Sequence, residues 1–155
     1  MYSYTSDEEH VKYMIHLPDE SRKECMEFLI SSAEEWLKSS PRFYQFAVTL
    51  NGKHIGEVSV YGLNEKFTEG ELGWVFHRNY CGNGYATEAA KALISFCKDI
   101  LHLSKVVACC DSRNKASIQV MKNIGMSLSE KNMPRKYIKR DEVALETRFE
   151  MYLKD

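Results

Sequence analysis

The chain has 155 residues, enough for one domain that buries a core without disulfides or metals. Apolar residues make up 44% of it and the formal charge is −1, which excludes a disordered chain and a globally basic nucleic-acid or membrane-surface binder. Five cysteines, adjacent at Cys109 and Cys110 and never spaced C-x-x-C, fit reduced thiols in the cytoplasm better than a disulfide framework or a zinc site.

The first ten residues are polar and acidic, unlike a signal peptide, and no apolar run along the chain reaches membrane-spanning length. Ser6 and Glu9 have capping-box spacing, which predicts a short helix through about Ile15. A second helix is expected from Asp19–Ser21, with Cys25, Met26, Leu29, Ala33, Trp36 and Leu37 as its apolar stripe and Ser40-Pro41 as its stop. Arg42–Leu50 and Lys53–Tyr61 are strand-like and flank Asn51-Gly52, a hairpin signal because both turn residues need positive φ. A third strand runs over Glu71–His77. After it comes Cys81-Gly82-Asn83-Gly84-Tyr85-Ala86, and then an amphipathic helix to about Ile100. Lys105–Cys110 is a short apolar strand. Asn114 caps a helix that carries Ile118, Met121 and Ile124 and closes at Gly125. Two strands finish the chain, one after Gly125 and one over Leu145–Leu153. The order α-α-β-β-β-α-β-α-β-β, with no linker or repeat, describes a single α/β (α+β) domain over 1–155. Its strands 71–77 and 105–110 are parallel through a right-handed crossover, and the rest of the sheet is antiparallel.

The glycine-rich turn between strand and helix has a chemical use. The first N–H groups of a helix lack intrahelical partners, and the macrodipole adds positive potential there. Gly82, Gly84 and Ala86 keep side-chain bulk away at alternate positions, although Tyr85 carries a ring, so a phosphate can approach the backbone. A tight βα turn with no ligand fits the same two glycines equally well. There is no G-x-x-x-x-G-K-[ST] and no G-x-G-x-x-G, which sets aside a P-loop and a dinucleotide fold.

Two stretches resemble a known family. Glu71-Leu72-Gly73-Trp74-Val75-Phe76-His77, followed by Tyr80-Cys81-Gly82-Asn83-Gly84-Tyr85-Ala86-Thr87-Glu88-Ala89, is similar to the acetyl-CoA motif of the GNAT superfamily of N-acetyltransferases. More narrowly it resembles the RimJ/RimL-like branch, the ribosomal-protein N-terminal acetyltransferase type. Asn114-x-x-Ser117, followed by Asn123-Ile124-Gly125-Met126, resembles that branch's second motif, and the likeness spans roughly 42–153. It implies a GNAT fold: a mixed, mostly antiparallel twisted sheet with one splayed β-α-β pair and helices on both faces. Cys81 departs from the usual aromatic or basic residue. The family's usual first strand has no counterpart, so one sheet edge is expected to be open or paired, a homodimer being one way to cover it.

The resemblance also implies roles. Gly82, Gly84 and Ala86 would offer N–H groups to a pyrophosphate, with Asn83, Tyr85 and Thr87 beside it. Val75, Phe76 and His77 would pair with pantetheine through their backbone, and Asn114 and Ser117 would contact the cofactor. Glu71 would be the general base, directly or through water, or else a solvated strand-end carboxylate; Glu57 is a weaker alternative. Ser117 would protonate the departing thiolate, or else serve only its helix N-terminus; Tyr137, later in the chain, is a further residue that could reach the site, although no motif places it there. Arg78, Arg113, Lys115 and Lys122 are expected near CoA phosphates or on plain surface. His10, His16, His54 and His102 show no ligand spacing, so no metal is expected. Trp36, Phe43, Tyr44 and Phe46 would shape an acceptor pocket or the core.

The function this implies is direct acetyl transfer from acetyl-CoA to a primary amine. The acceptor is either a protein or peptide N-terminus or a small amine (polyamine, amino sugar or antibiotic), with no nucleic-acid or membrane partner. Two other classes stand beside it: a non-catalytic acyl-CoA-binding module, and a phosphate-ligand domain unrelated to CoA.

Overall fold

The tight turn at Asn51 (φ 50°) and Gly52 (φ 77°) joins strands β1 (Phe43–Leu50) and β2 (Lys53–Gly62), as the Asn-Gly pair requires. The structure is a computed structural model and describes residues 1–153. Strand β3 (Glu69–Phe76) continues the antiparallel meander, and the chain then turns through a 3₁₀ segment, Arg78–Tyr80, into helix α4 (Tyr85–Asp99). Strand β4 (Lys105–Asp111), helix α5 (Lys115–Asn123) and strands β5 (Ser127–Lys136) and β6 (Val143–Tyr152) follow. Sheet order is β1-β2-β3-β4-β6-β5, and β3–β4 is the parallel pair.

The main core lies on one face of the sheet. Val58, Val60, Leu72 and Val106 pack against Ala90, Leu93 and Cys97 of α4 and Met121 of α5. That is the stripe expected of a helix covering the middle of a sheet. Asn114 caps α5 by accepting from Ser117 N–H at 3.1 Å, and Gly125 closes it at φ 86°.

The N-terminal segment departs from the sequence expectation. Two single turns form, α1 (Tyr2–Thr5) and α2 (Glu8–Val11), in place of one helix to Ile15. Asp7, not Ser6, caps α2, because the Ser6 hydroxyl donates to Tyr2 O instead. Helix α3 (Arg22–Trp36) starts at the Ser21 cap as expected, but of its stripe only Cys25 is buried, while Met26, Leu29 and Trp36 stay exposed. The reason is position: α3 lies against edge strand β1, with Phe28 on Phe43 and Trp36 on Tyr44 and Phe46. Among the described residues no strand precedes β1, so β1 is an outer strand of the sheet.

One polar cluster ties the far end of β4 to the loops around it. Asp111 is fully buried; it accepts two bonds from the Arg113 guanidinium at 2.9 and 2.7 Å and one from the Tyr137 hydroxyl at 2.5 Å. Although burial opposes ionisation, these donors hold its carboxyl at about 2, below the usual range. The folded state therefore binds the proton less tightly than the unfolded one. The contribution is present above the unfolded value and lost as pH falls through about 2. Asp111→Ala strands the Arg113 and Tyr137 donors and is expected to lower unfolding free energy by about 3 kcal/mol in urea melts at pH 7.

Candidate acetyl-transfer site

Strands β3 and β4 pair at only three positions, Glu69↔Lys105, Gly70↔Val106 and Glu71↔Val107. Beyond them β3 remains bonded to β2, and β4 to β6, so the two diverge into a wedge that opens at Glu71. Register decides which backbone groups face the wedge. His77 N–H bonds Ile55 O and Leu63 N–H bonds Glu69 O, which makes Glu71, Gly73 and Val75 the residues bonded to β2. Leu72, Trp74 and Phe76 therefore turn their N–H and C=O toward β4. The same parity on β4, fixed by Leu153 N–H on Ser104 O and Ser112 N–H on Leu145 O, turns the backbone of Cys109 toward β3. Of the wedge-facing acceptors, Phe76 O already meets His10 Nε2 at 2.5 Å.

The glycine turn sits at the mouth of this wedge. Gly82 (φ 82°) and Gly84 (φ 84°) are both left-handed, and a Cβ on either would meet nothing within 4 Å. The first intrahelical bond of α4 is Glu88 N–H on Gly84 O. Among the described residues, no acceptor meets the backbone N–H of Gly82, Asn83, Gly84, Tyr85, Ala86 or Thr87. The Asn83 side chain bonds back to Cys81 O at 3.2 Å and so braces the turn. A row of unpaired N–H groups at the positive end of a 15-residue helix suits an anion.

Glu71 lies half-buried at the vertex, on the sheet face away from α4. Burial pushes its carboxyl above the ordinary range; the Tyr61 hydroxyl beside it and the Arg148 and Arg135 guanidinium groups pull the other way, and the Glu146 carboxylate adds to the rise. A base with a raised value is nearer the pH at which it can both accept and release a proton. Glu57, one strand away, is buried and already accepts from Tyr4 Oη at 3.1 Å and from Gln45 Nε2.

The other candidates are placed as follows. Val75 bonds to β2 through its backbone, and His77 lies past the strand end with its Nδ1 accepting from Asn79 N–H at 3.2 Å. Asn114 uses its side-chain oxygen as the α5 cap, and Ser117, whose N–H it holds, sits beside the Cys110 thiol. Tyr137 donates to Asp111. Arg78 pairs with Asp7 at 2.9 Å and Arg113 with Asp111, while Lys115 and Lys122 are exposed. Trp74 lies inside the motif stretch, where the resemblance gives it no role, and Cys109 lies in no motif; only the strand register marks their backbones. No group of three or more His, Cys, Asp or Glu suited to a metal occurs among the described residues, and no helix there is long and apolar enough to cross a membrane.

A splayed parallel pair with an anion-ready helix start at its mouth is the architecture of an acyl-CoA-dependent transferase. The family model for the acetyltransferase (GNAT) domain matches residues 1–127, and the chain belongs to that family. It is 31% identical over 128 residues to the uncharacterized N-acetyltransferase YnaD of Bacillus subtilis, covering 81% of this chain and 71% of that one. Among solved structures, spermidine N-acetyltransferase from Vibrio cholerae in complex with CoA and spermine superposes with a TM-score of 0.82 at 16% identity, over 98% of this chain and 87% of that one. An acetyl transferase of Salmonella typhimurium that modifies the N-terminal serine of ribosomal protein L7/L12 superposes at 0.84 with 11% identity, over 97% and 84%. The protein is an acetyl-CoA-dependent N-acetyltransferase.

Proposed function

We propose that the acceptor is a primary amine, that of a protein or peptide N-terminus, and that Glu71 receives its proton. The observation that carries this is the wedge. Its free backbone edge leads from the unpaired N–H groups of Gly82–Thr87 to a half-buried carboxylate at its vertex. In this reading Gly82, Asn83, Gly84, Tyr85, Ala86 and Thr87 hold the pyrophosphate of acetyl-CoA. Pantetheine pairs with the backbone of Trp74 and with Phe76 N–H, both of which face the wedge, while Val75 and His77 support them. The α5 start at Asn114 and Ser117 closes the other wall.

The amine nitrogen attacks the thioester carbonyl carbon, the C–S bond breaks, an amide forms, and the coenzyme leaves as a thiolate that takes up a proton. A backbone N–H on the wedge edge stabilises the developing oxyanion. Glu71 takes the amine proton directly or through water. A peptide α-amine has a pKa near ~8, so part of it is already neutral at pH 7, and the base is needed for the proton that the nitrogen loses as the amide forms. Ser117 is the candidate donor to the thiolate. The RimJ/RimL-like motif and the likeness to the L7/L12-modifying enzyme support the peptide acceptor. A polyamine is the second reading, favoured by the carboxylates of Glu71 and Glu146 on one face and by the likeness to the spermidine enzyme.

Thermal melting with acetyl-CoA, CoA and ADP tests the cofactor side. Acetyl-CoA and CoA at a hundredfold excess over Kd are expected to stabilise the fold by about 2.7 kcal/mol, and ADP by far less. Equal shifts from all three would overturn the pantetheine assignment. Turnover of spermidine with none of serine- or alanine-initiated peptides would move the acceptor to the second reading.

A further inference from the structure

Strand β3 turns the carbonyls of Leu72, Trp74 and Phe76 toward the wedge, and Phe76 O is the outermost of them, next to the mouth. Among the described residues it is the one of the three that a side chain meets: His10 Nε2 lies 2.5 Å from it. A carbonyl oxygen can only accept, so Nε2 carries the proton and the bond fixes the tautomer of the ring. Nothing in the transfer chemistry above gives this contact a role.

The segment around His10 is pinned to the end of β3. Asp7 Oδ1 caps α2 by accepting from His10 N–H at 3.2 Å, and Asp7 Oδ2 pairs with Arg78, two residues past Phe76, at 2.9 Å. Val11 is fully buried, and Tyr4 sets its ring edge-on to His77 with centroids 5.9 Å apart. A four-residue turn is marginal by itself, so these contacts, and not helix propensity, hold His10 against the strand.

Strand geometry says what closing that carbonyl does. Wedge-facing carbonyls recur at every second residue, about 7 Å apart. Pantetheine is a flexible chain that carries amides; the glycine turn anchors its pyrophosphate end but leaves its single bonds free to bow. With Phe76 O open, an amide N–H would pair at the mouth, and the thioester would stop about 7 Å short of the depth reached from Trp74 O. With Phe76 O filled, the first acceptor that amide meets is Trp74 O. A thioester held one repeat too shallow is out of reach of Glu71, and a misplacement of that size costs rate more than affinity.

We propose that His10 is a positioning residue for the coenzyme: by filling Phe76 O it closes the shallow pairing register and sends the thioester to the vertex of the wedge. The proposal rests on the acetyl-CoA placement given above. It adds a residue that lies outside both motif stretches, on the N-terminal segment.

The test binds acetyl-CoA, labelled with carbon-13 at the thioester carbonyl, to the full chain and reads it by NMR and by calorimetric titration. On the wild type the carbonyl signal should move downfield, because a wedge N–H polarises it. In His10→Ala that shift should fall to about half or less, or a second signal should appear. Affinity should stay within about threefold of wild type. His10→Leu keeps bulk against the strand but donates nothing, and should behave as His10→Ala does. His10→Gln, whose amide donates to Phe76 O, should restore the single wild-type signal. Asp7→Asn keeps the cap on His10 N–H and drops the ion pair with Arg78, so it loosens the same segment without freeing the carbonyl; its spectrum should match the wild type. An unchanged signal in His10→Ala and His10→Leu would overturn the proposal. So would a change that His10→Gln does not reverse, or the same change in Asp7→Asn, since a segment that merely packs gives those results. Absence of binding or of any carbonyl shift in the wild type itself would overturn the acetyl-CoA placement and His10's role with it, so the two failures are read on different proteins.

Discussion

Gly84→Glu is expected to weaken acetyl-CoA binding about a hundredfold, roughly 2.7 kcal/mol. The glycine holds a left-handed φ of 84° at the start of α4, and its Cβ direction is open space. A side chain there fits sterically and strains the backbone by about 1–2 kcal/mol. The larger effect is electrostatic. In the proposed reading, a carboxylate among the unpaired N–H groups of Gly82–Thr87 would take the place of the pyrophosphate and repel it. Gly84→Ala carries the same strain without the charge and should lose only a few-fold. Calorimetric titration of both variants at one fixed salt concentration separates the two contributions. Equal losses would mean that loop geometry, and not its field, holds the ligand.

Glu71→Gln is the second large effect, with kcat falling about a hundredfold while acetyl-CoA affinity is unchanged. Burial raises the Glu71 carboxyl, so the wild-type rate should climb with pH through a value above the ordinary carboxylate range, and that limb should vanish in the variant. The stability change runs opposite to activity. A folded-state value above the unfolded one means the native protein holds this proton more tightly. Ionisation of Glu71 therefore removes stability as pH rises from the unfolded to the folded value, and the deficit is complete above that. The glutamine variant should melt higher than wild type at pH 7. A rate and pH profile identical to wild type would leave the amine proton to solvent.

Much of this architecture was legible in the sequence because its signals are local. Asn51-Gly52 dictated a hairpin, Asn114 and Gly125 bounded α5, and alternation over Leu145–Leu153 marked a strand. The glycine turn could be placed at a helix start for the same reason. Side-chain competition hid the true N-terminal cap, since Ser6 and Asp7 both carry suitable oxygens and only the folded backbone decides between them. The stripe of α3 misled because periodicity reports which face is apolar and not how much of it another element covers. The wedge edge lay furthest from reach. Whether Val75 or its neighbours face β4 depends on the parity of pairing between distant strands, which no single segment encodes.

Three residue pairs out of an eight-residue β3 make the seam between the two halves of the sheet. The strands β1–β3 form one leaf and β4, β6 and β5 the other, with α4 laid across the join. Such a molecule is a book with a short spine: each leaf is laced by its own hairpin, while the amides of Trp74 and Cys109 beyond the spine have no strand to shield them. Hydrogen exchange along the gap would then be fast in the free protein. A ligand lying in the gap would bind the leaves together and slow that exchange on both pages at once.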